Sequence, residues 1–245
     1  MISVVVPTLN AEAHLAQSLS SLVTAAVDGL VREVIVADGG STDRTLEIAD
    51  GAGAEIVKSD AGRGAQLRAG AGRARFPWLL FLNAETYLDP GWEREAHLHI
   101  ERVDSGRRRA TAASFRLTID DEGLLPRALE AMAGLRTGIL KLPYGDQGLL
   151  ISRALYDDAG GFDALPLLED IDLARRLGRR RLTALNARAV VGGEHYLRDG
   201  LVGRLARNQA CLWLYLLGVP TTTIANLYGR GTTPVGEPAV GRGLP

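Results

Sequence analysis

Apolar residues open the chain as an unbroken block. Ile2 to Val6 carries no charged side chain, the pattern of a strand covered on both faces. Leu15, Leu19, Leu22, Val23 and Ala26 then recur at helical spacing, and Glu33 to Ala37 returns to a buried-strand pattern. This is a β-α-β unit. Ser41 is placed to cap a helix over Thr42 to Asp50, which Gly51 and Gly53 end. Glu55 to Val57 predicts a short third strand, Gly64 to Arg75 a helix, and Trp78 to Leu82 a strongly apolar fourth strand. Such alternation predicts an α/β fold with a mostly parallel central sheet and helices on both faces.

Beyond Glu85 the alternation fades. Pro90 to Ile100 reads as a helix, Ala113 to Ile119 as a strand and Leu124 to Leu135 as an apolar helix. Gly148 to Ser152 predicts a further strand, with a short helix from Arg153 to the Gly160-Gly161 pair. Glu169 to Leu177 begins as an acidic helix, and Gly200 to Leu217 forms a last amphipathic one. The expectation is one domain over residues 1–228, with a nucleotide-binding part over 1–100 and an acceptor-side part over 101–228. Residues 229–245 lack periodicity and read as a flexible tail.

Composition narrows the function classes. The 245 residues are 46% hydrophobic and 23% charged, so a chain of this size can bury a core without disulfides. Lys plus Arg (28) nearly cancels Asp plus Glu (29), leaving −1, so no overall field points to nucleic acid. Arg107 to Arg109 and Arg175 to Arg181 lack interleaved aromatics and read as solvated faces rather than a nucleic-acid patch. The single cysteine, Cys211, excludes an internal disulfide and a cysteine-cluster metal site, and fits a reducing cytoplasm. The first residues lack the pattern of a signal peptide. Within the uncharged stretch Asn208 to Gly229 only Ala210 to Val219 is uniformly apolar, short of the ~20 residues a bilayer span needs. Leu201, Leu205, Leu212, Trp213 and Leu216 of the last helix, set against Arg204 and Arg207, suit core packing, a homodimer face or peripheral contact with the inner membrane face.

Ligands of open α/β sheets bind where strands deliver their carboxyl ends. Four such ends are polar here: Pro7-Thr8-Leu9-Asn10, Asp38 to Asp43, Asp60 to Gly64, and Asn83-Ala84-Glu85. No G-x-G-x-x-G follows the first strand and no P-loop is present, which disfavours nicotinamide and ATP-hydrolysing enzymes. Asp38, directly after a buried strand, can accept from a base-edge N–H; it also suits a turn before Gly39. Asp43 alone reads equally well as a partner of the helix dipole. Glu85 suits a hard ion such as Mg²⁺ or Mn²⁺, for which one or two carboxylates suffice when a diphosphate supplies the other oxygens. Asp146 and Gln147, just before a strand, suit sugar or acceptor hydroxyls or a plain turn. His195, in Gly192-Gly193-Glu194-His195-Tyr196, is either a further metal ligand or a loop histidine, while His14, His97 and His99 fall on predicted helices as surface residues.

As an ordered set these segments resemble family 2 glycosyltransferases of the GT-A fold. The resemblance rests on Val4 to Asn10, Val36 to Asp43, Gly62-Arg63-Gly64-Ala65-Gln66, Asn83-Ala84-Glu85, Gly160-Gly161-Phe162-Asp163 and Leu168 to Leu173, and covers residues 1–217. Within the family it looks most similar to a small bacterial subgroup associated with radical-SAM and selenium-related genes. The resemblance implies an inverting transferase acting on a nucleotide-diphosphate donor, a UDP-sugar, with Mg²⁺ or Mn²⁺ and an unknown acceptor. It places Pro7, Thr8, Asn10, Glu12, Asp38, Arg63 and Asn83 at the nucleotide, Glu85 and His195 at the metal, and Asp170 as general base beside Glu169. The helix dipole should keep Asp170 ionised. Two positions depart from the family pattern: Asn83 stands at the first acidic position of the D-x-D motif, and Arg68 where asparagine is common. They leave open a nucleotide-sugar-binding protein with weak or lost turnover, and a metal-dependent nucleotidyltransferase is the third alternative.

Overall fold

The computed structural model describes residues 1–121, 123–192 and 201–227. Among these, eight strands form one sheet in the order β3-β2-β1-β4-β7-β6-β8-β5. The strands are β1 (Ile2–Thr8), β2 (Val31–Asp38), β3 (Glu55–Lys58), β4 (Trp78–Phe81), β5 (Thr86–Leu88), β6 (Ala112–Asp120), β7 (Leu149–Ser152) and β8 (Leu182–Gly192). The first four pair in parallel, as the alternating sequence predicts. The second half is mixed: β7 runs antiparallel to β4 and β6, while β6 and β8 are parallel.

Alternation within each strand divides the core. Ile2, Val4 and Val6 join Trp78 and Leu80 on one face, whereas Val5 joins Leu79 and Phe81 on the other. The first face is covered by α1 (Leu15–Ser20), α2 (Val23–Val27), α3 (Thr45–Gly51) and α5 (Trp92–Asp104). The second is covered by α4 (Arg63–Arg73), α7 (Arg153–Asp158), α8 (Glu169–Leu177) and α9 (Leu201–Leu216). Both faces being covered is why the central strands read as continuous apolar runs. The remaining helices are α6 (Leu124–Leu135), continued by a π-helical turn Arg136–Leu140, and α10 (Thr221–Leu227). No helix among the described residues is long and apolar enough to cross a membrane.

Several sequence expectations change. The single helix expected over residues 15–26 breaks into α1 and α2, with Ser21 and Leu22 between them. Ser41 does not cap α3: the helix starts at Thr45, and the Ser41 hydroxyl instead donates to Asp38 at 2.5 Å. Strands β5 and β8 and helix α10 carry no clear periodic signal and are additions made by the structure. His99 is not a surface residue. It is 2% exposed, edge-on to Trp78, with Nε2 3.0 Å from the Thr111 carbonyl, and burial lowers its pKa. It lies on a helix as the sequence predicts, but the face it occupies depends on packing.

Strand order reverses at β1, which has β2 on one side and β4 on the other. A crevice therefore opens beyond the carboxyl ends of β1, β2 and β4. Because Phe81 pairs with antiparallel Leu149, the turn before β7 arrives at the same end of the sheet. This register brings Gly145 to Gln147 beside Asn83.

Candidate active site

The ends of β1 and β2 are stitched together by side chains. Asp38 is 2% exposed, and its Oδ2 accepts the backbone N–H groups of Gly40 and Ser41, both at 2.9 Å. Its Oδ1 accepts the hydroxyls of Thr8, at 3.1 Å, and Ser41. Burial works to raise the Asp38 pKa, but the hydrogen bonds from Ser41, Gly40 and Thr8 outweigh it and hold the carboxyl below its usual range. Asn10, at φ 52°, accepts the Thr42 N–H at 2.9 Å through Oδ1, a backbone region that asparagine tolerates better than most residues. Glu12 accepts the Arg44 N–H at 3.1 Å, and its own N–H donates to Asp43 at 3.1 Å. Pro7 is a buried strand residue paired with Ala37. The structure thus gathers Pro7, Thr8, Asn10, Glu12 and Asp38 into one loop cluster. Gln66 adds to it, donating its amide to the carbonyls of Thr8 and Ala37 at 2.5 and 3.1 Å. Its position three residues after Arg63 at the start of α4 is the signal that could have found it.

A second cluster is built around Arg63. Its guanidinium donates to Glu169 Oε1 at 2.7 Å and to Asn83 Oδ1 at 2.6 Å, and lies 3.8 Å from Asp170 Oδ2. The Asn83 amide donates onward to Asp146 at 2.8 Å. An asparagine therefore does what an aspartate could not, accepting from a cation and donating to a carboxylate at once. Arg63 lies against Gly145, where a Cβ would collide with the guanidinium and force it to shift. The freed Gly145 N–H donates to Asp170 Oδ2 at 2.6 Å, and Asp170 Oδ1 accepts from Ile171 N–H at 2.7 Å.

Asp170 behaves against the helix-dipole expectation. Burial and the neighbouring Glu169 carboxylate raise it from 3.8 to about 6, overcoming the lowering by Arg63 and the Gly145 and Ile171 N–H groups. Desolvation costs more here than the dipole returns. The residue before the pair, Leu168, adopts φ 62°, a sparsely populated conformation for a bulky side chain and a form of strain found at functional sites. Asp170, Arg63, Asn83, Gly145 and Tyr144 line one pocket, with Phe81 and Phe162 among its apolar walls.

Asn83 sits in the Arg63 cluster rather than among the β1 and β2 loops. Gln147 is 2% exposed, and its amide is used within the chain: Oε1 accepts from Thr137 at 2.9 Å and Tyr144 N–H at 3.2 Å, and Nε2 donates to the Phe115 carbonyl at 3.1 Å. It holds the turn that presents Asp146. Glu85 lies in the turn after β4 that is closed by Thr86 N–H on the Asn83 carbonyl at 3.0 Å. Among the described residues no three His, Cys, Asp or Glu side chains converge as a metal cluster. His195 lies outside the described residues.

Residues 3–160 match the model of glycosyl transferase family 2. The chain belongs to that family. This family 2 glycosyltransferase has the GT-A fold expected from its sequence, and its solved structural neighbours agree. Staphylococcus aureus TarS 1–349 in complex with UDP-GlcNAc superposes with TM-score 0.60 at 20% identity, over 77% of this chain and 58% of that one. Glucosyl-3-phosphoglycerate synthase of Mycobacterium tuberculosis, in complex with Mn²⁺, UDP-glucose and phosphoglyceric acid, superposes with TM-score 0.58 at 22% identity, over 90% of this chain and 80% of that one. The chain thus spans less than two thirds of the TarS structure. No curated protein sequence matches the transferase.

Proposed function

We propose that this glycosyltransferase moves a sugar from a UDP-sugar onto an acceptor hydroxyl, with inversion at the anomeric carbon and Asp170 as general base. The observation that carries this reading is the carboxylate of Asp170, poised at about 6 in a pocket at the carboxyl end of β4. A base with a pKa near working pH is deprotonated when needed and still basic enough to take a proton. In the transfer, the acceptor oxygen bonds to C1 as the bond from C1 to the diphosphate oxygen breaks. The electron pair leaves with the diphosphate, and the acceptor proton passes to Asp170.

The loops of Thr8, Asn10, Glu12 and Asp38 would receive the nucleotide, with Asp38 shaping the loop around the base. Asp146 would face sugar or acceptor hydroxyls, and Gln147 holds its turn. Glu169 and Asn83 fix Arg63, which in turn sets the electrostatic environment of Asp170. The donor chemistry fits Mg²⁺ or Mn²⁺, since Glu85 is a hard oxygen ligand in the loop after β4 and diphosphate oxygens would complete its shell. Bound there, the ion supplies positive charge for the leaving diphosphate. Support for the donor class comes from the neighbours solved with UDP-GlcNAc and with Mn²⁺ and UDP-glucose. Placement in the radical-SAM- and selenium-associated subgroup rests on the motif set alone, and a cytoplasmic site on the single cysteine.

Calorimetry with UDP, GDP and ADP, each with and without Mn²⁺, tests the reading. UDP should bind most tightly and more tightly with the metal; no metal-enhanced binding of any nucleotide would overturn it. A donor screen reading released nucleoside diphosphate separates turnover from binding alone.

A further inference from the structure

A second cavity shares Tyr144 with the pocket of Asp170, and its lining is part polar and part apolar. Asp146, Arg136 and Gln209 are polar members of its lining, while Leu117 and Ile119 of β6 and Leu129 and Met132 of α6 are apolar. Tyr144 lines both this cavity and the pocket that holds Asp170, and Asp146 of the cavity accepts from Asn83 of that pocket. The π-helical turn after α6 sets Arg136 over that ring, 3.4 Å from the centroid. Such turns are rare and concentrate at functional sites.

The segments that flank the cavity also carry exposed apolar side chains. Met132, Leu135 and Ile139 are 45, 62 and 61% exposed, and Trp213 in the last turn of α9 and Leu217 just beyond it are 61 and 78% exposed. Gln209, Trp213 and Leu217 follow at four-residue intervals and share one stripe, so the rim on this helix runs out from the cavity. Large apolar side chains gathered on the surface mark a binding face. The lining shared with the Asp170 pocket selects the occupant, because a second copy of the chain would cover the rim without bringing a hydroxyl to Asp170.

Building on the transferase reading, we propose that the acceptor is an amphiphile whose hydroxyl-bearing head lies by Asp146 and Asp170 and whose hydrocarbon chain leaves between α6 and α9. The protein carries its own reporter. Trp78 and Trp92 are each 1% exposed, so a ligand on the rim should shift the emission of Trp213 alone. The experiment titrates the full chain with hexyl, octyl and decyl β-D-glucopyranoside below their micellar concentrations and follows tryptophan emission. A blue shift is expected, with affinity rising about tenfold for each added pair of methylenes. Met132→Asp and Leu135→Asp, both at exposed positions, should weaken decyl glucoside binding about tenfold and leave UDP binding unchanged. Affinity independent of chain length, or equal in the variants, would overturn the proposal. So would a blue shift that tracks protein concentration without glucoside, since sedimentation would then report two copies paired through the rim. UDP binding without glucoside binding defeats this inference alone, whereas absence of UDP binding defeats the transferase reading beneath it.

Discussion

The loop cluster at Asp38 and the arginine cluster at Asp170 occupy one end of the sheet and treat a buried carboxylate in opposite ways. Asp38 takes four hydrogen bonds from hydroxyls and backbone N–H groups, three of them from residues within three positions in sequence or from Ser41 itself, and is held below its usual pKa. Asp170 accepts two N–H groups but shares its arginine with Glu169 and is raised to about 6. Charge on Asp38 is fully satisfied, which suits a residue that fixes a loop. Charge on Asp170 is only partly satisfied, which suits one that takes up a proton. The difference lies in the neighbours, since both are aspartates with little exposure: Asp38 ends β2 among hydroxyls and N–H groups, and Asp170 follows Glu169 at the start of α8.

Breaking the Asp170 side should have the largest effect. Asp170→Asn is expected to lower transfer about a thousandfold, within the range general bases contribute, while raising stability at pH 7. The sign follows from linkage. A carboxyl raised from 3.8 to about 6 contributes stability that is fully present below about 3.8 and lost as pH rises through about 6. Asp170→Asn should therefore flatten the stability profile between these values, by about 3 kcal/mol, as read by chemical denaturation at several pH values. Wild-type activity should rise with pH through about 6, and a flat activity profile there would remove Asp170 from the base role.

Arg63→Ala comes next. It leaves Glu169, 3% exposed, without its cation and should cost about 3 kcal/mol in denaturant unfolding together with most activity. Gly145→Ala should mimic the activity loss by displacing the guanidinium. Asp38→Asn sharpens the other side of the comparison. An amide nitrogen or a single carbonyl cannot replace two oxygens that each accept two bonds, so a loss of about 2 kcal/mol is expected. Because the Asp38 pKa is lowered, its contribution is present above about 3.8 and lost as pH falls through the folded value, so this variant should lose stability at neutral pH yet differ little from wild type in strong acid. Asn83→Asp should be mildest, removing the bond to Asp146 and placing like charges together at about 1 kcal/mol, measurable as a lower thermal midpoint.

Much of this was legible in the sequence where burial and pattern coincide. The parallel half of the sheet follows from apolar runs and punctuating loops, and the strand-end positions of Asp38 and Asn83 follow with it. Strand β8 was missed because Arg188 and Asn186 interrupt its apolar positions, and its pairing with both β6 and β5 is a long-range choice. Gly145 stands beside Asp146 in the sequence, but the collision that a side chain there would meet exists only once Arg63 lies against it.

Local periodicity therefore determined by itself the four parallel strands of residues 1–85 and which of their end loops are polar, because those features depend on near neighbours. Only the tertiary structure decided that Arg63, Asn83, Gly145 and Asp170, drawn from four segments, would share one space. Their charges then act across a desolvated gap of a few ångströms, and a pKa set by such neighbours has no counterpart in the order of residues along the chain.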